Sequence, residues 1–324
     1  MDGGPLPDEL RNAPDLDTLV SRAEALDLLP GWTPKVTAGM WSEPKTPYVP
    51  AHWKWSDAKA AMDGALRLID TKLAERRNFA MINPSQTDTS ATMNSLVCAY
   101  QAILPGEHAR SHRHAPDAFR IILDSHGAWS CVDGEKHPME TGDIVLTPGM
   151  SWHGHGHDGD VPAFWFDGLN VPLLRRLEPM FFEDHPDGME PIKRTVEVSP
   201  YRFTGAWQQE QLGDAAEDAD GHFGHRIVLD TSSMPAMGIH VHRWEKGFAS
   251  RPYRSTANQA FIVTDGSGSS TIGEETFEWS FGDTFIAPCW TRVEHKASER
   301  ATVVAMSDEP VMRFCKFWQF EALD

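Results

Sequence analysis

The sequence predicts a mainly β protein with two tandem β-barrels of the jelly-roll type and a helical N-terminal extension. Short apolar stretches bounded by Gly, Asp, Asn and Pro recur over most of the chain, as is typical of antiparallel strands. Gly106 and Gly247 stand 141 positions apart, and the segments GDIVLTP and GDTFIAP begin 140 positions apart, at Gly142 and Gly282. A period of this length indicates a duplicated domain rather than a solenoid. The 324 residues provide for about two domains of ordinary size.

The extension, residues 1–80, contains two helix-like stretches, LDTLVSRAEALDLL and DAKAAMDGALRLIDTKLAER. A Pro- and Trp-rich passage, KTPYVPAHWKWS, separates them. In the second stretch, apolar residues follow one another at steps of three and four, which predicts one buried face of a helix. These residues are Ala58, Met62, Ala65, Leu66, Ile69 and Leu73.

The strand-like segments divide into an N-terminal barrel, predicted over residues 81–175, and a C-terminal barrel over residues 226–324. Residues 176–225 interrupt the strand pattern. Within them LLRRLEPMFF is compatible with a helix, and QQEQLGDAAEDADGH has the acidic, Gly-containing composition of a solvated linker.

The composition excludes several classes of partner. There are 47 Asp+Glu against 29 Lys+Arg, a formal net charge of −18, which repels nucleic-acid backbones and anionic lipid. The chain has no apolar run of membrane-spanning length and no secretory leader pattern, so we expect a cytoplasmic protein. Its four cysteines lack CxxC spacing and are predicted to be reduced thiols. An anionic substrate would therefore require a local cationic site.

Eight of the 15 histidines lie in the stretch 108–157, where their spacing predicts a metal site. His112 and His114 are two residues apart, so both imidazoles point to one face of an extended strand. A turn at Pro148 precedes His153 and would direct a third imidazole to the same point. Neutral imidazole suits iron, zinc, copper or nickel, so the ligands alone leave the metal open.

The spacing G-x5-HxH followed by G-x5-P-x4-H resembles the paired metal-binding motifs of the cupin superfamily. The wider segments ILPGEHARSHRHAPDAFRIIL, METGDIVLTPGMSWHGHGHDGD and FWFDGLNVP resemble gentisate 1,2-dioxygenases and the related salicylate-type ring-cleaving dioxygenases. The similarity includes ERRNFAMINP and PYVPAHWKW before the first barrel, and so extends over nearly the whole chain.

The resemblance implies that Fe(II) is bound by His112, His114 and His153, the last chosen from the HGHGH tract by its motif spacing. Many cupins add a Glu four residues after the second His, where this chain has Ala118. Three neutral imidazoles leave about three octahedral positions for a bidentate substrate and dioxygen. Whether Asp117, one residue earlier, approaches the metal is left open.

For the substrate, the resemblance implies that Arg120 binds a carboxylate, to which a planar guanidinium can make two contacts. It also implies that His155 contacts the substrate and either takes up its hydroxyl proton or stabilises bound oxygen. Further predicted substrate contacts are Gln101, Asp167 and Arg76 or Arg77, between which the sequence does not decide.

The second barrel lacks the metal ligands. The positions equivalent to the three histidines hold Tyr253, Ser255 and Val293, so this barrel is predicted to be a structural half. A separate HxH pair, His240 and His242, leaves a second metal as a minor alternative.

The predicted function is that of an Fe(II)-dependent dioxygenase. It would use dioxygen to open the ring of a small aromatic acid, gentisate or a related substituted salicylate, between the carboxyl- and hydroxyl-bearing carbons. Ala99, the APDAF segment and Asn170 depart from the expected gentisate pattern, so salicylate, a 5-substituted salicylate or a hydroxynaphthoate stay open. The alternatives are a non-catalytic cupin that binds a small aromatic or sugar ligand, and a metal-dependent isomerase or hydrolase. The resemblance suggests a homotetramer.

Overall fold

The computed structural model describes residues 6–33, 40–70, 73–74, 76–85 and 91–324. The chain forms two compact units, Met1–Lys45 and Thr46–Asp324. Among its described residues, the first unit has two short helices, α1 (Pro7–Arg11) and α2 (Leu16–Glu24). The side chain of Asp15 caps α2 by accepting a hydrogen bond from the amide of Thr18 at 2.7 Å.

The second unit begins with β1 (Ala51–Trp53) and α3 (Trp55–Leu68). The sequence pattern predicted a helix that continues through Leu73, but α3 is shorter. Ile69 has an extended backbone with φ −119° and ψ 124°, and Leu73 is 78% exposed. The guanidinium of Arg77 donates two hydrogen bonds to the carbonyl oxygen of Ile69, at 2.6 and 2.9 Å. These bonds satisfy a carbonyl group at the point where the helix ends.

The first barrel consists of two six-stranded sheets, with strand orders β13-β8-β5-β10-β3-β2 and β11-β4-β9-β6-β7-β12. Its strands are β2 (Arg77–Ala80), β3 (Val97–Ile103), β4 (His108–His114), β5 (Ala118–Asp124), β6 (Ala128–Val132), β7 (Glu135–Met139), β8 (Ile144–Thr147), β9 (His153–His157), β10 (Ala163–Leu169), β11 (Phe182–Asp184), β12 (Arg194–Thr195) and β13 (Arg202–Phe203). A helix, α4 (Val171–Leu177), follows β10.

The second barrel consists of a six-stranded sheet, β1-β20-β17-β22-β15-β14, and a five-stranded sheet, β19-β18-β21-β16-β23. Its other strands are β14 (His225–Val228), β15 (Gly238–Trp244), β16 (Tyr253–Ser255), β17 (Gln259–Asp265), β18 (Ser267–Ile272), β19 (Glu275–Ser280), β20 (Thr284–Ala287), β21 (Val293–Ala297), β22 (Ala301–Ser307) and β23 (Phe320–Ala322). A short helix, α6 (Glu309–Phe314), connects β22 to β23. The predicted fold class, two tandem barrels in a mainly β chain, is confirmed.

The two barrels share one apolar core. Alternate residues of β3, such as Cys98 and Tyr100, pack in the same buried cluster as Val304 and Met306 of the second barrel. The residues between them point into the first barrel, because successive side chains of a strand face opposite sides of the sheet. The hydroxyl of Tyr100 donates a hydrogen bond to the carbonyl oxygen of Gly282 at 2.7 Å and fixes the contact. β3 is therefore buried on both faces.

Residues 176–225 are more ordered than the linker that the sequence predicted. Strands β11, β12 and β13 extend the sheets of the first barrel. The predicted solvated stretch begins within a helix, α5 (Gly205–Asp214), capped by the Thr204 hydroxyl and held by the buried side chain of Leu212. The acidic composition gives no sign of this helix, because one buried leucine and one N-cap are a weak signal within it. The domain boundaries at residues 81–175 and 226–324 stay a proposal.

Among the described residues, none of the helices is long and apolar enough to cross a bilayer.

Candidate metal centre

Three predicted ligands meet inside the first barrel. His112 on β4 is the register partner of His153 on β9, and His114 follows two residues later on the same face of β4. The ligand atoms of the three imidazoles all lie within 4.8 Å of one another. His112 and His153 are buried, so competing water is largely excluded. The strand register thus produces the convergence that the HxH spacing predicted.

The three imidazoles are oriented by the main chain. Each Nδ1 lies within hydrogen-bonding distance of a carbonyl oxygen two residues away: His112 from Arg110 at 3.1 Å, His114 from Pro116 at 2.8 Å and His153 from Ser151 at 3.0 Å. A carbonyl oxygen only accepts, so Nδ1 carries the proton and Nε2 presents its lone pair. The Nε2 of His153 is buried and has no hydrogen-bond partner. This arrangement suits a metal ion.

The electrostatic environment keeps the ligands neutral. Burial, followed by the positive charge of Arg76, lowers the pKa of His112 to about 3. Burial lowers the pKa of His114 to about 4 and that of His153 well below its ordinary value. Neutral imidazole is the form that binds a metal, so the site needs no deprotonation at neutral pH.

The carboxylate of Asp117 is held by one main-chain amide and one side-chain amide. One carboxylate oxygen accepts the amide of Gly149 at 2.9 Å, and the other accepts the side-chain amide of Asn170 at 3.0 Å. Asn170 in turn accepts the amide of Asp117 at 2.9 Å. At Gly149 a Cβ would collide with the carbonyl oxygen of Ala115, so only glycine fits this turn. Asp117 therefore positions the turn that leads to His153. Sequence reasoning missed this function because it joins three separated segments.

His155 lies beside the three ligands, in the position that its spacing predicted. Its ring centroid is 6.2 Å from that of His153 and 5.8 Å from that of Trp165. The side chain is 1% exposed, and neither ring nitrogen has a hydrogen-bond partner. Burial, and then the charge of Arg120, lowers the pKa of His155 well below its ordinary value. A buried imidazole with two unsatisfied nitrogens is the kind of group that a ligand completes.

Arg120 forms a buried ion pair on the opposite wall. It is the register partner of Asp167 on β10, and its Nε lies 3.3 Å from Oδ1 of Asp167. The Nη1 donates to the hydroxyl of Thr147 at 2.6 Å, and the indole of Trp165 donates to Asp167 at 3.2 Å. Sequence reasoning missed Thr147. A signal was present, because Thr147 is the polar residue of a buried strand directly before the motif proline.

Gln101 lies on β3, on the other side of β10 from Arg120, and is buried. The contacts favour Arg76 over Arg77 as a further cation at the site. Nη1 of Arg76 lies 3.0 Å from Nε2 of His112. The guanidinium of Arg77 is buried and forms a two-point contact with Glu107 in addition to its bonds at the end of α3. A substrate contact by Arg77, one of the two predicted alternatives, has no support in this geometry.

The second barrel repeats the register without the ligands. Tyr253 on β16 pairs with Val293 on β21 as His112 pairs with His153. The rings of His240 and His242 are 6.3 Å apart. Within the part of the chain that the structure describes, the three histidines of the first barrel are the one group of His, Cys, Asp or Glu arranged for an ion. A barrel in which three neutral histidines converge opposite a buried arginine is typical of the metal-binding cupins.

Comparisons with known proteins agree with that class. Residues 99–169 match the Cupin domain family. The chain is 31% identical to gentisate 1,2-dioxygenase 1 of Aquipseudomonas alcaligenes, over 92% of this chain and 94% of that protein, and 36% identical to a gentisate 1,2-dioxygenase of Ralstonia sp., over 88% of each. It belongs to the gentisate 1,2-dioxygenase family and is a ring-cleaving dioxygenase.

A solved structure has the same architecture. Salicylate 1,2-dioxygenase of Pseudoaminobacter salicylatoxidans, crystallised as an adduct with gentisate, superposes with a TM-score of 0.87. The two chains are 25% identical, and the match covers 96% of this chain and 94% of the other.

Proposed function

We propose that this protein is an Fe(II)-dependent dioxygenase that cleaves a 2-hydroxybenzoate, gentisate or a salicylate, between its carboxyl- and hydroxyl-bearing carbons. The observation that carries the proposal is the placement of three unprotonated Nε2 atoms beside the unsatisfied ring of His155 and the buried Arg120. The named activities of the related proteins support the choice of substrate class.

The residues fit an iron site. His112, His114 and His153 would hold the metal through Nε2, with each ring fixed by a main-chain carbonyl. Fe(II), when bound, would supply the path for electrons between the aromatic ring and dioxygen. Arg76, 3.0 Å from Nε2 of His112, would move from this nitrogen to a substrate anion when the metal site is filled.

Arg120 would orient the substrate by its carboxylate. The guanidinium is held from two sides, by Asp167 at 3.3 Å and by Thr147 at 2.6 Å, so little conformational entropy is lost on binding. Charge-assisted hydrogen bonds to a carboxylate are stronger than neutral ones. Arg120 and Arg76 give a cationic patch in a chain of net charge −18, and this patch meets the requirement for an anionic substrate.

His155 would bind the substrate hydroxyl oxygen. Its two ring nitrogens have no other partner, so Nδ1 and Nε2 are free, one as donor and the other as acceptor. The acceptor nitrogen would accept a hydrogen bond from the phenolic hydroxyl, and the donor nitrogen would donate one to an oxygen atom of the substrate or product.

Two positions that the sequence analysis singled out bear on which substrates of this class the protein accepts. Asn170 is engaged with Asp117, so its identity bears on the turn rather than on the pocket. Ala99, in contrast, is the register partner of Asp167 and faces the barrel interior. A side chain of this size leaves room for a ring substituent, and we propose that gentisate and 5-substituted salicylates are both accepted.

Oxygen uptake by iron-loaded protein tests the proposal. We expect one dioxygen consumed per ring opened with gentisate or a salicylate, and loss of turnover in His112→Ala. His126→Gln, which alters an exposed histidine, is the matched control and keeps full turnover. Tight binding of these acids without oxygen uptake would identify a non-catalytic cupin, and turnover without oxygen on zinc or manganese would identify an isomerase or hydrolase. Either result overturns the proposal.

We further propose a cytoplasmic homotetramer. Large apolar side chains such as Val198 and Phe314 are strongly exposed on the described surface, as is typical of subunit interfaces. The four cysteines are free thiols, which suits a reducing compartment. Light scattering should give a mass about four times the 36.2 kDa of the chain. A monomer mass would refute the assembly.

A further inference from the structure

The second barrel contains an open cavity of about 430 Å³ where the first barrel has its metal ligands. Tyr253 and Ser255, the counterparts of His112 and His114, line it. A volume of this size lies within the range of small-molecule sites. The cavity is also lined by Phe223, Arg226, His240, Glu309, Arg313 and Phe320.

The cavity carries one uncompensated positive charge. Glu309 and Arg313 neutralise each other through a 2.6 Å ion pair. Arg226 forms no ion pair with any carboxylate that the structure describes, and its guanidinium lies 4.2 Å from the ring centre of Phe223. Burial lowers the pKa of His240 to about 4, so this imidazole is neutral at pH 7. The remaining charge is that of Arg226.

The walls of the cavity are flat and aromatic. The rings of Tyr253 and Phe320 stack at 5.5 Å with an angle of 20° between their planes. Phe223 and Trp318 line the same space. Aromatic walls favour a planar apolar ligand, because edge-to-face and stacked contacts between rings stabilise beyond the area that they bury.

Arg226 reaches its cavity from an edge strand, and Arg76 reaches the interior of the first barrel from beside the corresponding edge strand. Arg226 lies on β14, the edge strand that pairs with β15, and it is the register partner of His242. Arg76 directly precedes β2, the edge strand that pairs with β3, the counterpart of β15. Each barrel thus receives a cation on or directly beside its edge strand, although the two arginines do not occupy the same register position.

We propose that the second barrel binds an aromatic monocarboxylate, with the carboxylate on Arg226 and the ring between the aromatic walls. A single free cation matches a single negative charge. A phosphate dianion would carry one negative charge more than Arg226 compensates. The site is independent of iron and of the proposed reaction, because it uses no residue of the metal centre.

Equilibrium dialysis of iron-loaded protein against radiolabelled benzoate tests this site by counting bound equivalents. Benzoate lacks the hydroxyl group needed for two-point binding to a metal. We expect Arg226→Met to lose one equivalent per chain, or to bind it about 10- to 150-fold more weakly, with turnover unchanged. Arg243→Met removes a neighbouring arginine that pairs with Glu245 outside the cavity and should change nothing.

A second variant tests the same site with Arg226 in place, so the result does not depend on the folding of Arg226→Met. Val228 lines the cavity mouth on the same strand face as Arg226 and is 65% exposed, so Val228→Glu places a competing carboxylate there without disturbing the core. It should lose the same equivalent. Equal benzoate stoichiometry in wild type, Arg226→Met and Val228→Glu would overturn the proposal, and so would displacement of benzoate from this site by inorganic phosphate at equal concentration.

Discussion

Replacement of Arg120 by methionine should separate substrate binding from folding. The guanidinium lies 3.3 Å from Asp167, and both side chains are buried. At an effective dielectric constant near 20, two unit charges at that distance attract by about 5 kcal/mol. Removal of one partner from a buried pair costs about 3–5 kcal/mol, because the other charge is left uncompensated. Urea unfolding of Arg120→Met should show a loss of this size.

The catalytic effect has a different origin. If Arg120 binds the substrate carboxylate, its removal forfeits a charge-assisted contact of about 1.5–3 kcal/mol, a 10- to 150-fold fall in kcat/KM. The double variant Arg120→Met, Asp167→Leu replaces the pair by apolar groups. It should recover most of the stability without recovering kcat/KM, because no cation is restored.

A control variant and a refuting result complete the test of Arg120. Arg194→Met breaks an exposed pair with Glu135 and should change stability by less than about 1 kcal/mol. A kcat/KM for Arg120→Met within twofold of wild type would refute the assignment of Arg120 to the substrate. Recovery of kcat/KM in the double variant would show that the loss arose from the stranded carboxylate of Asp167.

Three further results are expected. His153→Ala should reduce bound iron from about one equivalent per chain to under a tenth by elemental analysis, and full occupancy would contradict the ligand set. Asp117→Ala frees the turn at Gly149 and should weaken metal binding about 10- to 100-fold in a chelator competition, whereas Asp117→Asn, which still accepts the amide, should restore most of it. Burial lowers the pKa of His295 to about 3 against 6.5 in the unfolded chain, so the unfolded state binds more protons between these values and stability falls on acidification. From pH 7 to pH 5 this residue should contribute a loss of about 2 kcal/mol, and a slope of the unfolding free energy with pH that is unchanged in His295→Phe would contradict the assignment.

Sequence analysis predicted the parts of the fold that depend on the spacing of residues along the chain. The repeated landmarks predicted that Tyr253 and Val293 stand where His112 and His153 stand, and the two pairs occupy the same register between equivalent strands. HxH spacing on a strand is sufficient to orient two imidazoles, because alternation along a strand is fixed by backbone geometry.

The parts that it missed depend on contacts between distant segments. Arg76 and Arg77 are neighbours with identical side chains, and only the end of α3 and the position of Glu107 decide which of them faces the histidines. The function of Asp117 likewise requires Gly149 and Asn170 to be brought to it. The amphipathic pattern continued past the end of α3, but it contains no information on the carbonyl contact that terminates the helix.

The residues of a strand beside the shared core are under two different constraints, because one face packs between the barrels and the other faces a barrel interior. On β15, Ile239 and Val241 pack into the common cluster, whereas His240 and His242 line the cavity of the second barrel. A polar substitution at an odd-numbered position of β15, such as Val241, would disrupt packing against the first barrel. The folding of both barrels therefore constrains those residues. The even positions are free of that restraint. A duplicated barrel can therefore exchange its chemistry at every second residue while the residues between keep both copies folded.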